Sequence, residues 1–308
     1  MDQKPFGNSG LRTTELGLGA WAIGGRGYGE VGEDQARSVL DAYYDGGGRF
    51  IDTATRYGTS EESIGKFLRE RGLRDSEELF IASKSPHNDP QGIREDVEKS
   101  LLCLNRDWVD LYYLHRPPED QGEMERALDV YGELRNEGKI KLIGASVKGP
   151  NVTRATVDLC RQYFDTGRVG ALQVIVSPLR QLNLEVADYA AEHGVALVFR
   201  TVLENGFLTG KFEKGHAFPE GDHRARWPEE KLNRILGEVG YLRQHYVRPP
   251  RQSMVELVMA FTKCVIGPHF VIVGAKASDQ VRANFQAYRV PPMTDAEREH
   301  LQQRYRGR

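Results

Sequence analysis

Short apolar runs recur along the chain, and each is followed by polar sequence in which apolar residues return at helical spacing. The runs are Leu16–Gly19, Arg49–Ile51, Leu79–Ser83, Val109–Leu114, Ile140–Ala145, Ala171–Ile175, Ala196–Phe199 and Phe270–Val273. They are apolar on both faces rather than alternating, the pattern of strands covered on both sides in a parallel sheet. The intervening spacing predicts helices over Asp34–Asp45, Ser60–Arg71, Gly92–Leu104, Met124–Asn136, Val152–Tyr163 and Leu184–His193. Further helices are predicted from Pro228, from Ser253, and over Ser278–Ala287 and Asp295–Arg304. In the first of these, Ala36, Val39, Leu40 and Tyr43 form one face. Ser60 reads as the N-cap of the second, with Glu61 and Glu62 in its first turn.

Eight strand–helix units in 308 residues predict an α/β fold, a closed (β/α)8 TIM barrel spanning 1–308 as a single domain. A doubly wound open sheet is the alternative. Ahead of the first unit, Lys4–Phe6 and Leu11–Thr14 flank Gly7-Asn8-Ser9-Gly10 and predict a small β-hairpin. The last helices are extra to the barrel.

Composition narrows the function. The net charge of −2 and pI near 6.5, with both signs interspersed, lack the basic footprint of a nucleic-acid binder. No run approaches the roughly 18 apolar residues of a membrane span, so a cytoplasmic protein without a membrane partner is expected. Cys103, Cys160 and Cys264 are odd in number and far apart, which fits a reduced compartment and no metal. Gly17-Leu-Gly19-Ala-Trp-Ala22 has dinucleotide-loop spacing, but glycines rather than a helix follow it. Gly206–Lys211 is one residue short of a phosphate loop, and Phe212 stands where a hydroxyl is needed.

In a barrel of this kind, functional side chains gather at the carboxyl ends of the strands. Those positions hold Asp52, Lys84, His115, Ser146 and Gln173, and Tyr57 lies in the loop after the second strand. A tyrosine hydroxyl is a poor proton donor at neutral pH unless a nearby cation stabilises its tyrosinate. Lys84 is placed to supply that cation, Asp52 to hold the lysine, and His115 to hydrogen-bond a carbonyl oxygen. The set suits protonation of a carbonyl oxygen as hydride reaches its carbon.

With these residues the chain resembles the aldo-keto reductase family. Phe-Ile-Asp52-Thr-Ala-Thr-Arg-Tyr57-Gly, Phe-Ile-Ala-Ser-Lys84 and Val-Asp-Leu-Tyr-Tyr-Leu-His115 match its tetrad of Asp, Tyr, Lys and His, and the likeness covers nearly the whole chain. The resemblance implies NADP(H), with NAD(H) the lesser alternative, bound without a Rossmann domain. It implies Tyr57 as general acid in reducing an aldehyde or ketone, such as a sugar derivative, to the alcohol. For the cofactor it implies Ser146 and Gln173 at the carboxamide, Phe199 as the ring stacked on the nicotinamide, and Arg200 near the pyrophosphate. Gly274, Lys276, Gln280 and Asn284 match the adenosine-phosphate segment, and Lys276 or Arg282 would meet a 2′-phosphate. The chain departs from the family at Val147, Arg200 and Ala283, where asparagine, serine and glutamate are usual. Trp21, Tyr28, Arg116 and Trp227 fall in loops at the expected mouth and are candidates for the substrate pocket. Two other readings use the same barrel: a cofactor-binding regulatory subunit of a channel, and an aldolase forming a Schiff base at Lys84.

Overall fold

The first strands, β1 (Gln3–Pro5) and β2 (Arg12–Thr14), form the antiparallel hairpin, and Phe6 projects from it into the bottom of the main sheet. The computed structural model describes residues 1–25, 27–147, 152–264 and 269–307. Strands β3 (Leu16–Gly19), β4 (Phe50–Asp52), β5 (Phe80–Ser85) and β6 (Val109–Leu114) pair in parallel. They continue through β7 (Ile140–Ser146), β8 (Ala171–Ile175), β9 (Ala196–Arg200) and β10 (His269–Gly274). Because β10 also pairs with β3, the sheet closes into a barrel rather than ending in free edges.

Around it run α1 (Glu33–Asp45), α2 (Ser60–Glu70), α3 (Pro90–Leu104), α4 (Gln121–Asn136), α5 (Arg154–Asp165) and α6 (Ala187–Glu192). The chain then continues through α7 (Glu229–Tyr246), α8 (Met254–Thr262), α9 (Ser278–Ala287) and α10 (Asp295–Tyr305). Their starts follow from local chemistry. Asp89 accepts from the Gly92 amide to cap α3, and Ser253 and Thr294 form capping boxes with Glu256 and Glu297 at α8 and α10. Two expectations change. Ser60 lies inside α2, buried, and shares its hydroxyl hydrogen bond with Thr53 at 2.8 Å, so Thr59 takes the cap position. The helix expected over Leu184–His193 breaks into a 3₁₀ turn, Leu182–Val186, and the short α6; the turn lets buried Asn183 donate to the Ile175 carbonyl at 2.9 Å.

Alternate residues on a strand face opposite sides, and the two apolar clusters reveal which is which. Phe50, Phe80, Ala82, Leu111, Tyr113, Ala171, Ala196, Val198, Phe270 and Ile272 gather in the lumen. Phe6 seals its lower end, with its ring centroid 4.5 Å from that of Phe270 and 4.8 Å from that of Phe80. Ile51, Ile81, Tyr112, Ile143, Leu172, Leu197 and Phe199 pack outward against the helices. Gly144 belongs to the inward set, since a Cβ there would come within 2.6 Å of the Tyr113 ring. Carrying the alternation one step up each strand puts Asp52, Lys84, Ser146, Gln173 and Arg200 on the lumen side at its upper end.

Candidate active site

Four strands bring their last inward residues together under the mouth. Lys84, on β5, is completely buried, and its ammonium donates to the Asp52 carboxylate at 2.5 Å and to the Thr53 carbonyl at 2.7 Å. Asp52, at the end of β4, receives a second hydrogen bond across the lumen from the Gln173 amide at 2.7 Å. Gln173 in turn accepts from the Ser146 hydroxyl at 3.1 Å. Burial pushes the Asp52 carboxyl up, and Lys84 and Gln173 oppose that by favouring its charged form. An ion pair so completely removed from water is costly to build and tolerates the loss of neither partner.

Tyr57 and His115 sit above this pair. The Lys84 ammonium lies 5.1 Å from the centroid of the Tyr57 ring, and the Tyr57 and His115 rings meet edge to face at 5.8 Å. The Tyr57 backbone is held by Gly24, where an added Cβ would stand 1.6 Å from the Tyr57 carbonyl oxygen. His115 follows β6 directly, its amide donating to the Ser85 carbonyl at 2.8 Å. Burial pushes the hydroxyls of Tyr28 and Tyr113 upward.

A cavity of about 180 Å³ opens over these groups, lined by Arg56, Tyr57, Pro86, His115, Arg116, Ser146, Gln173 and Arg200. Of the expected residues, Tyr57, His115, Ser146, Gln173, Arg116 and Arg200 therefore converge, with Asp52 and Lys84 beneath them. Phe199 does not. It is fully buried on the outer face of β9, stacked on His269 at 5.3 Å and 13°, and Arg200 holds the inward position assigned to it from the sequence. Burial pushes the Arg200 guanidinium down from its ordinary value; it donates to the Val147 carbonyl at 3.2 Å, and its Nε has no partner among the described residues. Arg56 and Pro86 escaped the sequence reading, although Arg56 directly precedes Tyr57.

The aromatic residues of the mouth belong mainly to a clasp. Trp21 packs on Tyr28 at 4.9 Å and lies 6.4 Å from the Tyr57 ring. The Tyr28 hydroxyl donates to Asn205 at 3.3 Å, Lys276 donates to the Tyr28 carbonyl, and the His223 amide donates to the Gly27 carbonyl at 2.8 Å. Trp227 stacks on Phe207 at 5.7 Å and is absent from the cavity lining. The loop after β3 is thus tied to the segments after β9 and β10. At the start of α9, Gln280 accepts from the Lys276 amide at 2.7 Å, and Gln35 donates to the Lys276 carbonyl. Gly274 is exposed and Asn284 half-buried on the same side, both outside the cavity lining.

A closed parallel barrel with a buried lysine–carboxylate pair under a tyrosine and a histidine at its carboxyl mouth defines a class of oxidoreductase scaffold. The Aldo/keto reductase family profile matches residues 15–306, and the chain belongs to that family. It is 29% identical over 304 residues to the aldo-keto reductase YhdN of Bacillus subtilis, covering 92% of this chain and 87% of that one. It is 30% identical over 219 residues to the aldo-keto reductase yakc [NADP(+)] of Schizosaccharomyces pombe, covering 65% of this chain and 62% of that one. Among solved structures it resembles the holo form of aldo-keto reductase AKR11C1 from Bacillus halodurans, with a TM-score of 0.78, 25% identity and coverage of 98% and 96%.

Proposed function

We propose that this protein reduces a small aldehyde or ketone to its alcohol with NADPH, using Tyr57 as the proton donor. The observation that carries this is the stacking order of the site, in which Tyr57 and His115 share the cavity directly above the buried Asp52–Lys84 pair. When bound, the nicotinamide supplies hydride to the carbonyl carbon. Tyr57 gives its proton to the carbonyl oxygen, and His115 holds that oxygen by a hydrogen bond. Lys84 favours the tyrosinate left behind, and Asp52 fixes the lysine while Gln173 fixes Asp52.

The residues present fit such a cofactor. Ser146 and Gln173 line the cavity and keep hydrogen-bonding capacity beyond their mutual contact, which suits an amide. The Arg200 Nε is a buried donor with no partner among the described residues, which suits an electron-rich neighbour. We assign Gly274, Lys276, Gln280 and Asn284 to the adenosine end and Lys276 or Arg282 to a 2′-phosphate, in keeping with the NADP(+) of the fission-yeast relative's name. Tyr57→Phe tests the reading: NADPH should still quench tryptophan fluorescence, and turnover should fall by about 10² to 10⁴. Retained turnover in this variant would sink the assignment.

A further inference from the structure

The eight residues lining the cavity include three arginines and no carboxylate. Asp52, beneath the cavity, is already engaged by Lys84 and Gln173. Neither Arg56 nor Arg116 forms an ion pair or a side-chain hydrogen bond among the described residues, and both line the cavity. Their placement is specific. Arg56 directly precedes Tyr57, and Arg116 directly follows His115, so each cation flanks one of the two groups aimed at the carbonyl oxygen. In strand order these groups stand on the β4–β6 arc of the barrel, across the lumen from β9 and β10. The residues assigned to the cofactor phosphates, Arg200 at the end of β9 and the segment after β10, lie on the opposite arc of the ring from the loops that carry Arg56 and Arg116.

We propose that Arg56 and Arg116 select a substrate that carries an anionic group, a carboxylate or a phosphate, close to the reducible carbonyl. This rests on the reductase reading and names its substrate class. Unpaired cations in a walled cleft focus positive potential and concentrate anions there. A guanidinium can also grip either anion with two parallel hydrogen bonds.

The test compares kcat/KM for matched pairs: 4-oxobutanoate against butanal, and glyceraldehyde 3-phosphate against glyceraldehyde, each with saturating NADPH. The expected result is a preference of about tenfold or more for the charged member of at least one pair, shrinking as salt is raised. Which pair responds distinguishes carboxylate from phosphate. In Arg56→Gln/Arg116→Gln the preference should collapse through KM, with NADPH affinity measured alongside. A preference at or below unity in both pairs overturns the proposal and leaves the reductase intact. So does a ratio unchanged in the double variant, or a loss of NADPH affinity equal to the loss of substrate affinity. Turnover of none of the four compounds, together with no NADPH binding, would overturn the reductase reading itself.

Discussion

Replacing Lys84 by methionine keeps the length of the side chain and removes one charge from a place without water. The ammonium it deletes satisfies both the Asp52 carboxylate and the Thr53 carbonyl, and both Lys84 and Asp52 are essentially unexposed. The variant leaves a carboxylate with only the Gln173 amide for company. Breaking one side of such a pair costs about 3–5 kcal/mol. A chain of 308 residues unfolds with an entropy of roughly 0.65 kcal/mol per kelvin, so Tm should fall by about 5–8 °C. The loss should also depend on pH. Without the cation, the folded carboxyl is raised further above its ordinary 3.8, so the unfolded chain gives up this proton first as pH rises. Both folded proteins hold this proton more tightly than the unfolded chain does, so the deficit stays small until pH passes the native folded value and grows from there toward the variant's higher one. Asp52→Leu combined with Lys84→Met removes both charges, so it should recover much of the lost stability while remaining inactive. Thermal denaturation of the three proteins across this range is the assay. A Tm for Lys84→Met within about 1 °C of the native value at pH 7 would refute the argument that the pair is a high-cost buried unit.

Three other expectations follow from particular contacts. Gly24→Ala should push the Tyr57 backbone out of place, costing about 1–3 kcal/mol and most of the turnover; an unshifted Tyr57 with normal kcat would contradict the 1.6 Å approach. Burial raises the carboxyl of Glu61, which accepts from Ser83 at 2.6 Å, so native stability falls as pH climbs from about 4.5 through the raised folded value. Glu61→Gln removes this loss, and its Tm relative to the native protein should rise across that window; a flat difference would refute the direction. Phe199→Ala should cost about 3–5 kcal/mol, read by denaturant titration, without a specific loss of NADPH affinity, because the ring packs under the helices.

The barrel was readable because eight apolar runs alternated with helical spacing, a pattern that short-range physics imposes on covered parallel strands. The four central residues were readable because their types are chemically unusual at strand ends, and Asp52, Tyr57, Lys84 and His115 do share one mouth. The phase of β9 was not. Ala196-Leu-Val-Phe is apolar throughout, so nothing in the composition says which residues face the lumen; only pairing with β8 and β10 fixes that. The structure turns Phe199 outward and puts its neighbour Arg200, also expected at the cofactor, in the cavity lining. Arg56 was missed for a related reason, since its side chain is placed by how the loop after β4 turns above the cavity. Trp227 was assigned to the pocket from its position in a loop, but it packs against Phe207 and Lys231 instead.

The hydrogen bond from Gln173 to Asp52 spans the lumen between strands that lie far apart in the chain. It forms only when β4 and β8 have reached their final places in the ring. The lysine on β5 and the serine on β7 are tied into the same cross-brace. During refolding, an arc of three or four strands would present some of these groups without being able to join them. Recovery of turnover should therefore trail recovery of helical signal and coincide with the last ordering of the sheet, which makes the enzyme's own reaction a clock for closure of its barrel.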